Sequence, residues 1–498
     1  MNGRIVDVHQ GRYFEPGTRI VVANGVIQSV SGPREEGGPA PDYTVDLDGR
    51  AVLPGLFNTH CHVNGTSTTG IPGLRDLWLG YRHREAQKAW NLAECLSHGI
   101  TTIRDAWSTD LGPNRALRER ITRGEMAGPR LLQAVAVGPR GAYPGTLDAD
   151  SLQRFFYAAV MGMRIVDQER ANAGELLFPV DATVAQVRDA VDRAIDVCGA
   201  QTIKVFEQRE NLLTMKPDRA IMSLDQLCAL ANQARRRGVP CTMHHVTVAS
   251  FRRGVEAGLT SLAHLPLDGP LDAEDVEAFL ASGCLLEPTL SVGWAMATKL
   301  GGDPCRDHPE MERLVSFRET QCTIADLADA YFVPELRRSL LGSADRLARG
   351  KVRAMGLLDM GKTYRYYARY VAHGFDNFRM LYKRGARMAL GNDGGAPPLT
   401  PASLEIELAM FDHVLAPSGR PFRGADAVRI ATIESARSLG VEDRLGSVET
   451  GKTADLVVLD GDPLEDFRVV GSRVAALFVD GRLVVDNCGL DPQPSRVV

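Results

Sequence analysis

AVLPGLFNTHCHVN, residues 51–64, is an apolar run that ends in two histidines one residue apart. With Ala51-Val-Leu-Pro as the start of a strand, period-2 alternation turns His60 and His62 to one side and Cys61 to the other. Two neutral imidazoles on one side of a strand are half of a metal site. Cys61 faces away from them and reads as a packed side chain rather than a ligand.

Working outward, seven more stretches have the texture of short apolar strands: ITTIRDAW (100–107), RLLQAVAVG (130–138), TIKVFE (202–207), PCTMHHV (240–246), SLAHL (261–265), CLLEPTLSV (284–292) and RMALGNDGG (387–395). Amphipathic helical segments separate them, the βα pattern of a parallel sheet. Eight such units predict an α/β fold, a (β/α)8 TIM-like barrel, whose active site sits at the C-terminal ends of the strands. The polar residues collect at those ends: His60, His62, Lys204, His244, His245, His264 and Asp393.

The two chain ends differ from this middle. RIVDVHQGRYFEPGTRIVVANGVIQSV near the start, and GKTADLVVLDGDPL with VAALFVDGRLVVDN near the end, alternate β-branched residues with Pro-Gly, Asn-Gly and Asp-Gly turns. They predict one small β-sandwich built from both termini, with a hairpin turn at Val479-Asp-Gly-Arg-Leu483. The division is therefore 1–54 and 441–498 for the sandwich and 55–440 for the barrel, with insertions at about 140–200 and 293–385, because a barrel allots roughly 30 residues to each unit. Both insertions are expected to be helical excursions over the barrel mouth, serving as a pocket lid or as oligomer contacts. The second contains His308 and the aromatic run Tyr364-Arg-Tyr-Tyr-Ala-Arg-Tyr370.

Composition excludes several classes. At 498 residues, 44% hydrophobic and 24% charged, the chain buries a sizeable core and is neither disordered nor fibrous. A net charge of −5 without a basic stripe argues against nucleic acid. The N-terminus lacks the apolar core of a secretory signal, and no run of about 18 apolar residues occurs, so a cytoplasmic protein without a membrane partner is expected. Nine irregularly spaced cysteines without a C-x-x-C pair read as reduced thiols.

A hydrolytic metal site needs ligands that neutralise the ions, leave room for water and lower its pKa. His60, His62, His244, His264 and Asp393 supply four imidazoles and a carboxylate. Glycines 391, 394 and 395 around Asp393 suit a close-approach loop. Arg104 and Asp105, ending the second strand, read as a structural ion pair rather than substrate contacts.

GLFNTHCH, TIKVF, HHVTVASFRRGVEAGLTSLAH and LGNDGG, with the closing ATIESARSLGVEDRLGSVETGKTADLVVLDGDPL, together resemble the amidohydrolase superfamily over nearly the whole chain. The likeness is greatest to the binuclear branch with a carboxylated lysine, which includes Xaa-Pro dipeptidases, and extends to imidazolonepropionase-like relatives. The resemblance implies two divalent ions, most simply zinc. It places His60 and His62 on one ion, His244 and His264 on the other, Asp393 at the eighth strand, and Lys204 as an N6-carboxylysine bridging both. A lysine at a strand end would otherwise be a surface ammonium.

Counting back from RRGVEAG makes His244 the ligand. His245 then packs in the core or, where the strand has ended, backs the site as a candidate substrate contact. Tyr143, in GPRGAYPG, departs from the Gly-Gly-His of many prolidase-like relatives, which puts a dipeptide substrate in doubt and makes Tyr143 a candidate hydrogen-bond donor to substrate. Arg365 and Arg369, at i,i+4 spacing, meet a substrate carboxylate or face water.

The expected function is hydrolysis of a C–N bond of a small molecule, an amide, carbamate, urea or lactam, by a metal-bridging hydroxide with Asp393 as proton shuttle. The alternative is a mononuclear deaminase or ring-opening amidohydrolase. Those relatives usually carry a glutamate three residues after the fifth-strand histidine, where this chain has Thr247. A non-catalytic assembly scaffold would need lost ligands, and all six positions are filled. A homo-oligomer is compatible with the insertions.

Overall fold

The computed structural model describes residues 2–32, 42–64, 74–142, 166–167, 169–211, 215–298, 309–320, 322–348, 353–354, 358–359, 361–395, 398–419, 421–490 and 493–494. Gly55 is where the chain changes sheets. Ala51–Pro54 pairs in parallel with Arg4–Asp7 and antiparallel with Leu456–Leu459, whereas Leu56–Cys61 pairs with Ile100–Asp105. The run expected as one strand is thus two. The backbone partner switches at that point: Gly55 N donates to Asp455 O and Leu56 N to Gly99 O. A β-carbon at Gly55 would lie 2.1 Å from Thr101 Oγ1, so the crossing demands glycine.

The barrel runs in parallel through Leu56–Cys61, Ile100–Asp105, Arg130–Pro139, Thr202–Glu207, Cys241–His245, Ser261–Ala263 and Leu285–Glu287. All their residues but Arg130 are buried, as expected of a sheet covered on both faces. The eighth stretch closes the ring without a continuous ladder. Met388 bridges Leu286 and Gly394 bridges Cys61, while Thr59 N donates to Leu390 O at 2.8 Å and His62 N to Gly394 O at 2.6 Å.

The seventh strand is shorter than CLLEPTLSV suggests. Pro288 has no N–H to extend the ladder, and Leu290–Thr298 is a helix. Its first amides, Leu290 N and Ser291 N, donate to the buried Glu407 carboxylate at 2.7 Å each.

The first insertion is not purely helical. Its described part contributes a strand, Glu175–Phe178, parallel to Ala136–Pro139 of the third barrel strand, before the helix Val184–Asp196. The third strand outruns its fourth-strand partner, which pairs only with Ala134–Ala136, and the inserted strand satisfies the groups left over. The second insertion is mainly helical among its described residues: Pro309–Thr320, Ile324–Tyr331, Pro334–Ala348, Gly361–Tyr367 and Phe375–Lys383.

Strands from both termini interleave in a second sheet, in the order Arg482–Asp486, Val474–Val479, Leu456–Leu459, Ala51–Pro54, Arg4–Asp7, Arg12–Tyr13. The hairpin Arg19–Ala23/Val26–Ser31 packs on it through Ile20, Ile27 and Val30 against Ile5, Val52 and Leu456. Asn24-Gly25 and Asp480-Gly481 make the two hairpin turns with φ of +52°, +78°, +48° and +71°, the paired left-handed residues of a type I′ turn. Among the described residues no helix is long and apolar enough to cross a membrane.

Candidate functional site

His60 and His62 end the first strand, and Asp393 meets them from the closing stretch. His62 Nε2 lies 3.0 Å and His60 Nε2 3.7 Å from Asp393 Oδ1. One donor atom from each of the three residues falls within 4.8 Å of the others, a spacing that can hold one cation. Asp393 has φ of +52° while its amide still donates to His60 O at 2.8 Å, so the chain turns the carboxylate toward both imidazoles without losing its backbone bond.

Behind His60 stands Glu287, fully buried at the end of the seventh strand. Its Oε2 is 3.3 Å from His60 Nδ1 and accepts from Arg104 Nη2 at 2.6 Å. Its Oε1 accepts from Ser261 Oγ at 2.8 Å and Ser438 Oγ at 2.6 Å. Arg104 and Asp105 are therefore not an ion pair. As neighbours on a strand they point to opposite sides: Arg104 reaches Glu287, and Asp105 accepts from Val63 N, Ser108 Oγ and Asn114 Nδ2.

The fifth and sixth strands bring His244 and His264 to the same end, whereas Lys204, expected at a strand end, is the third residue of Thr202–Glu207 and pairs with Thr242, two positions below His244. Lys204 is 3% exposed and sits in register between Ala136 and Thr242. The ring centroids of His244 and His264 are 4.5 Å apart, and those of His264 and His60 5.1 Å, so the imidazoles form one continuous group. His244 stacks on Phe206 at 4.2 Å, and its Nε2 is 2.7 Å from Gln208 Oε1, which leaves Nδ1 as the nitrogen on offer. His264 Nδ1 is 2.7 Å from Thr289 Oγ1, which leaves Nε2.

His245 is placed differently, buried against Phe251 of the following helix with centroids 5.7 Å apart. Thr247 is the N-cap of that helix, accepting from Ser250 N at 3.0 Å. Arg365 and Arg369 are exposed, with the Arg369 guanidinium 5.3 Å from the Tyr366 ring centre. Tyr143 and His308 lie outside the described residues.

Burial dominates the electrostatics. It lowers His60 to about 4, helped by the Lys204 charge, and His264 to about 3, and it holds His244 well below the ordinary imidazole value. Burial also disfavours the His62 imidazolium, but the Asp393 hydrogen bond and charge more than offset it and raise His62. Burial, then the Arg104 charge, brings the Lys204 amine down to about 7. For Asp393 burial works upward, yet His62, His60 and His264 hold the carboxyl far below its ordinary value. Glu287 is likewise held low by Arg104 and His60 against its burial.

Sequence reasoning missed Glu287, Gln208 and Thr289. Glu287 alone left a signal, an acid ending the apolar stretch CLLE. Gln208 and Thr289 lie just past strand ends and look like any loop residue.

The sequence model of the amidohydrolase family matches residues 51–484. A 5-methylthioadenosine/S-adenosylhomocysteine deaminase of Symbiobacterium thermophilum is 23% identical over 504 aligned positions, 96% of this chain and 91% of the relative. A solved Xaa-Pro dipeptidase with bound methionine superposes with a TM-score of 0.61 at 21% identity, covering 97% of this chain and 98% of that one. Solved molinate hydrolase superposes with a TM-score of 0.64 at 19% identity, covering 97% and 93%. At such identities the solved structures establish a shared fold.

Proposed function

The chain belongs to the amidohydrolase family, and from that membership we propose that it is a metal-dependent hydrolase cleaving an amide, carbamate, urea or lactam C–N bond of a small molecule. The observation that carries the reading is Lys204, buried among the site's imidazoles with its amine lowered to about 7. A neutral amine adds carbon dioxide: the N–C bond forms, one proton leaves to water, and the product is an anionic carbamate with two donor oxygens.

We assign His60, His62 and Asp393 to one divalent ion, His244 Nδ1 and His264 Nε2 to a second, and the Lys204 N6-carboxylysine to both. The donor set fits: burial keeps His60, His244 and His264 neutral with their lone pairs free, Asp393 brings a carboxylate beside His62, and an imidazole-rich set suits zinc. Bound there, divalent ions supply a water of lowered pKa and a positive site for the carbonyl oxygen.

The chain's own residues do the rest. Asp393 is ionised, so it begins the cycle as a proton acceptor, takes the proton of the attacking water and delivers it to the leaving nitrogen. Glu287 accepts from His60 Nδ1–H, which fixes the tautomer that presents Nε2. Arg104 keeps Glu287 ionised for that purpose. We also propose a cytoplasmic location, with a small-molecule substrate rather than nucleic acid or membrane as partner.

The deaminase relative favours a second reading, a mononuclear deaminase. Against it stands Thr247, a helix cap where such enzymes usually carry a proton-shuttling glutamate.

Metal content per chain, measured by elemental mass spectrometry on protein prepared with zinc and bicarbonate, separates the two. About two ions, falling on Lys204→Ala, supports the hydrolase, and a panel of amides, dipeptides, carbamates, ureas and lactams then identifies the bond. About one ion, indifferent to Lys204→Ala, overturns it in favour of deamination.

A further inference from the structure

The eighth stretch meets the first strand through scattered backbone bonds, and two buried asparagines complete the join. Asn58, two residues before His60, and Asn392, one before Asp393, both have no exposed surface. Each folds its side chain back on its own chain in the same way. Asn58 Oδ1 accepts from His60 N at 3.1 Å, and Asn392 Oδ1 accepts from Gly394 N at 2.9 Å. A side-chain oxygen that takes the amide two residues on makes an Asx turn, an alternative to the strand ladder. The first strand's ladder to the second does break there, its register shifting between Asn58 and Cys61.

The two turns are joined to each other. Asn58 Nδ2 donates to Asn392 Oδ1 at 2.9 Å and to Pro401 O at 2.8 Å. Asn392 Nδ2 donates to Thr400 O at 2.8 Å and to Ser403 Oγ at 3.2 Å. The backbone dictates both amide orientations, because His60 N and Gly394 N are donors and can face only oxygen. Both protons of each side-chain amide are therefore engaged, in a place where leaving one unpaired would be costly. Asp393 lies inside the second turn, between Asn392 and Gly394, with its backbone left-handed at φ +52°. A non-glycine residue keeps that conformation only where its surroundings over-determine it, and here they aim Asp393 Oδ1 at His62 Nε2, 3.0 Å away.

We infer that Asn58 and Asn392 are positioning residues acting as one device: their amide pair holds the His60 turn against the Asp393 turn, and so sets where the Asp393 carboxylate stands relative to the His60 and His62 imidazoles. The bearing on metal rests on the proposed assignment of His60, His62 and Asp393 to one ion, whereas the amide pair itself exists without an ion.

The test has two readouts on the full chain. In the first, metal-free protein at one fixed pH is examined by proton NMR for the His62 Nε2–H that faces Asp393, assigned by its loss in His62→Gln. The hydrogen bond holds that proton downfield. Asn392→Ala and Asn58→Ala, each confirmed as folded by circular dichroism, should shift it upfield or broaden it away. A pair that only stabilised the barrel would lower Tm in these variants and leave the proton in place. In the second, cobalt(II) is titrated optically, and each variant should weaken uptake by about 10–100-fold, the usual effect of losing a partner behind a ligand. The double variant should lose less than the product of the single effects, because both remove the same amide contact.

Where Asn392→Ala does not fold, Asn58→Ala carries the decision. An unchanged His62 proton in a folded variant overturns the inference, as does unchanged cobalt uptake or a fully multiplicative loss in the double variant. Failure of the wild type to take up cobalt overturns the metal reading instead, and the His62 proton still decides the amide pair.

Discussion

Glu287→Gln tests how the site is held together. The carboxylate faces Arg104, and both side chains have no exposed surface. Removing the negative charge strands a buried guanidinium, and breaking a buried pair from one side costs about 3–5 kcal/mol. With an unfolding entropy of about 2.1 cal/mol/K per residue, a chain of 498 residues has about 1 kcal/mol/K, so Tm falls by about 3–5 °C. The assay is thermal unfolding of metal-free protein followed by circular dichroism.

The pH dependence has a definite sign. Glu287 is depressed in the folded chain, so its contribution is present above the unfolded carboxylate pKa and is lost as pH falls toward the folded value. The gap between wild type and variant should therefore be constant near neutrality and narrow below about pH 4.5. Adding Arg104→Met removes the stranded cation and should recover at least about 1–2 kcal/mol. In that double variant the amide N–H faces His60 Nδ1, which becomes an acceptor, so the proton moves to Nε2. Stability returns while metal binding does not. A single variant that melts within about 1 °C of wild type, or a double variant no more stable than the single, refutes the reasoning.

Three further outcomes follow from the same geometry. Asp393→Asn should keep much of its metal by elemental analysis yet lose about 10²–10⁴-fold in turnover, the usual share of a proton-transferring group; unchanged turnover removes the shuttle. Lys204 reacts with carbon dioxide only when neutral, and with its pKa at about 7 the neutral fraction falls from about nine-tenths at pH 8 to about one-tenth at pH 6, so bicarbonate-dependent zinc uptake should slow severalfold over that range, and a flat profile would contradict the burial argument. Thr247→Ala should cost about 1 kcal/mol in urea unfolding through the lost cap and leave turnover within about twofold, whereas a large loss of turnover would point to the deaminase chemistry.

What was legible in the sequence follows the physics of strand ends. Strand texture and chain order put His60, His62, Lys204, His244, His245, His264 and Asp393 on or just after apolar runs, and only the family resemblance separated His245 from the other six. The turns Asn24-Gly25 and Asp480-Gly481 were readable for a local reason, the left-handed demand of a hairpin. Gly55 was not, because its role depends on Thr101, which reaches it only across the fold. The partner of Arg104 was misread for the same reason. Sequence adjacency suggested Asp105, but strand alternation separates neighbours and delivers Glu287 from the seventh strand, 183 residues away.

The residues that hold the site share one structural economy. His264, Thr289 and Asp393 follow the sixth, seventh and eighth strands, and all three are non-glycine residues with φ between +48° and +75°. Conformations of this kind cost on the order of 1–3 kcal/mol each. Glycine would remove that cost, but it would also remove the imidazole, the hydroxyl and the carboxylate that face one another there. The chain keeps the functional side chains and ties each strained residue at its backbone or side chain: His264 N to Glu287 O at 2.9 Å, Asp393 N to His60 O at 2.8 Å, and Thr289 Oγ1 to His264 Nδ1 at 2.7 Å. Behind the mouth, Arg104 and Glu287 join the second strand to the seventh, and the Tyr370 ring packs the insertion against Gly293, which follows the seventh. The three left-handed residues are each tied to a neighbour from another strand end.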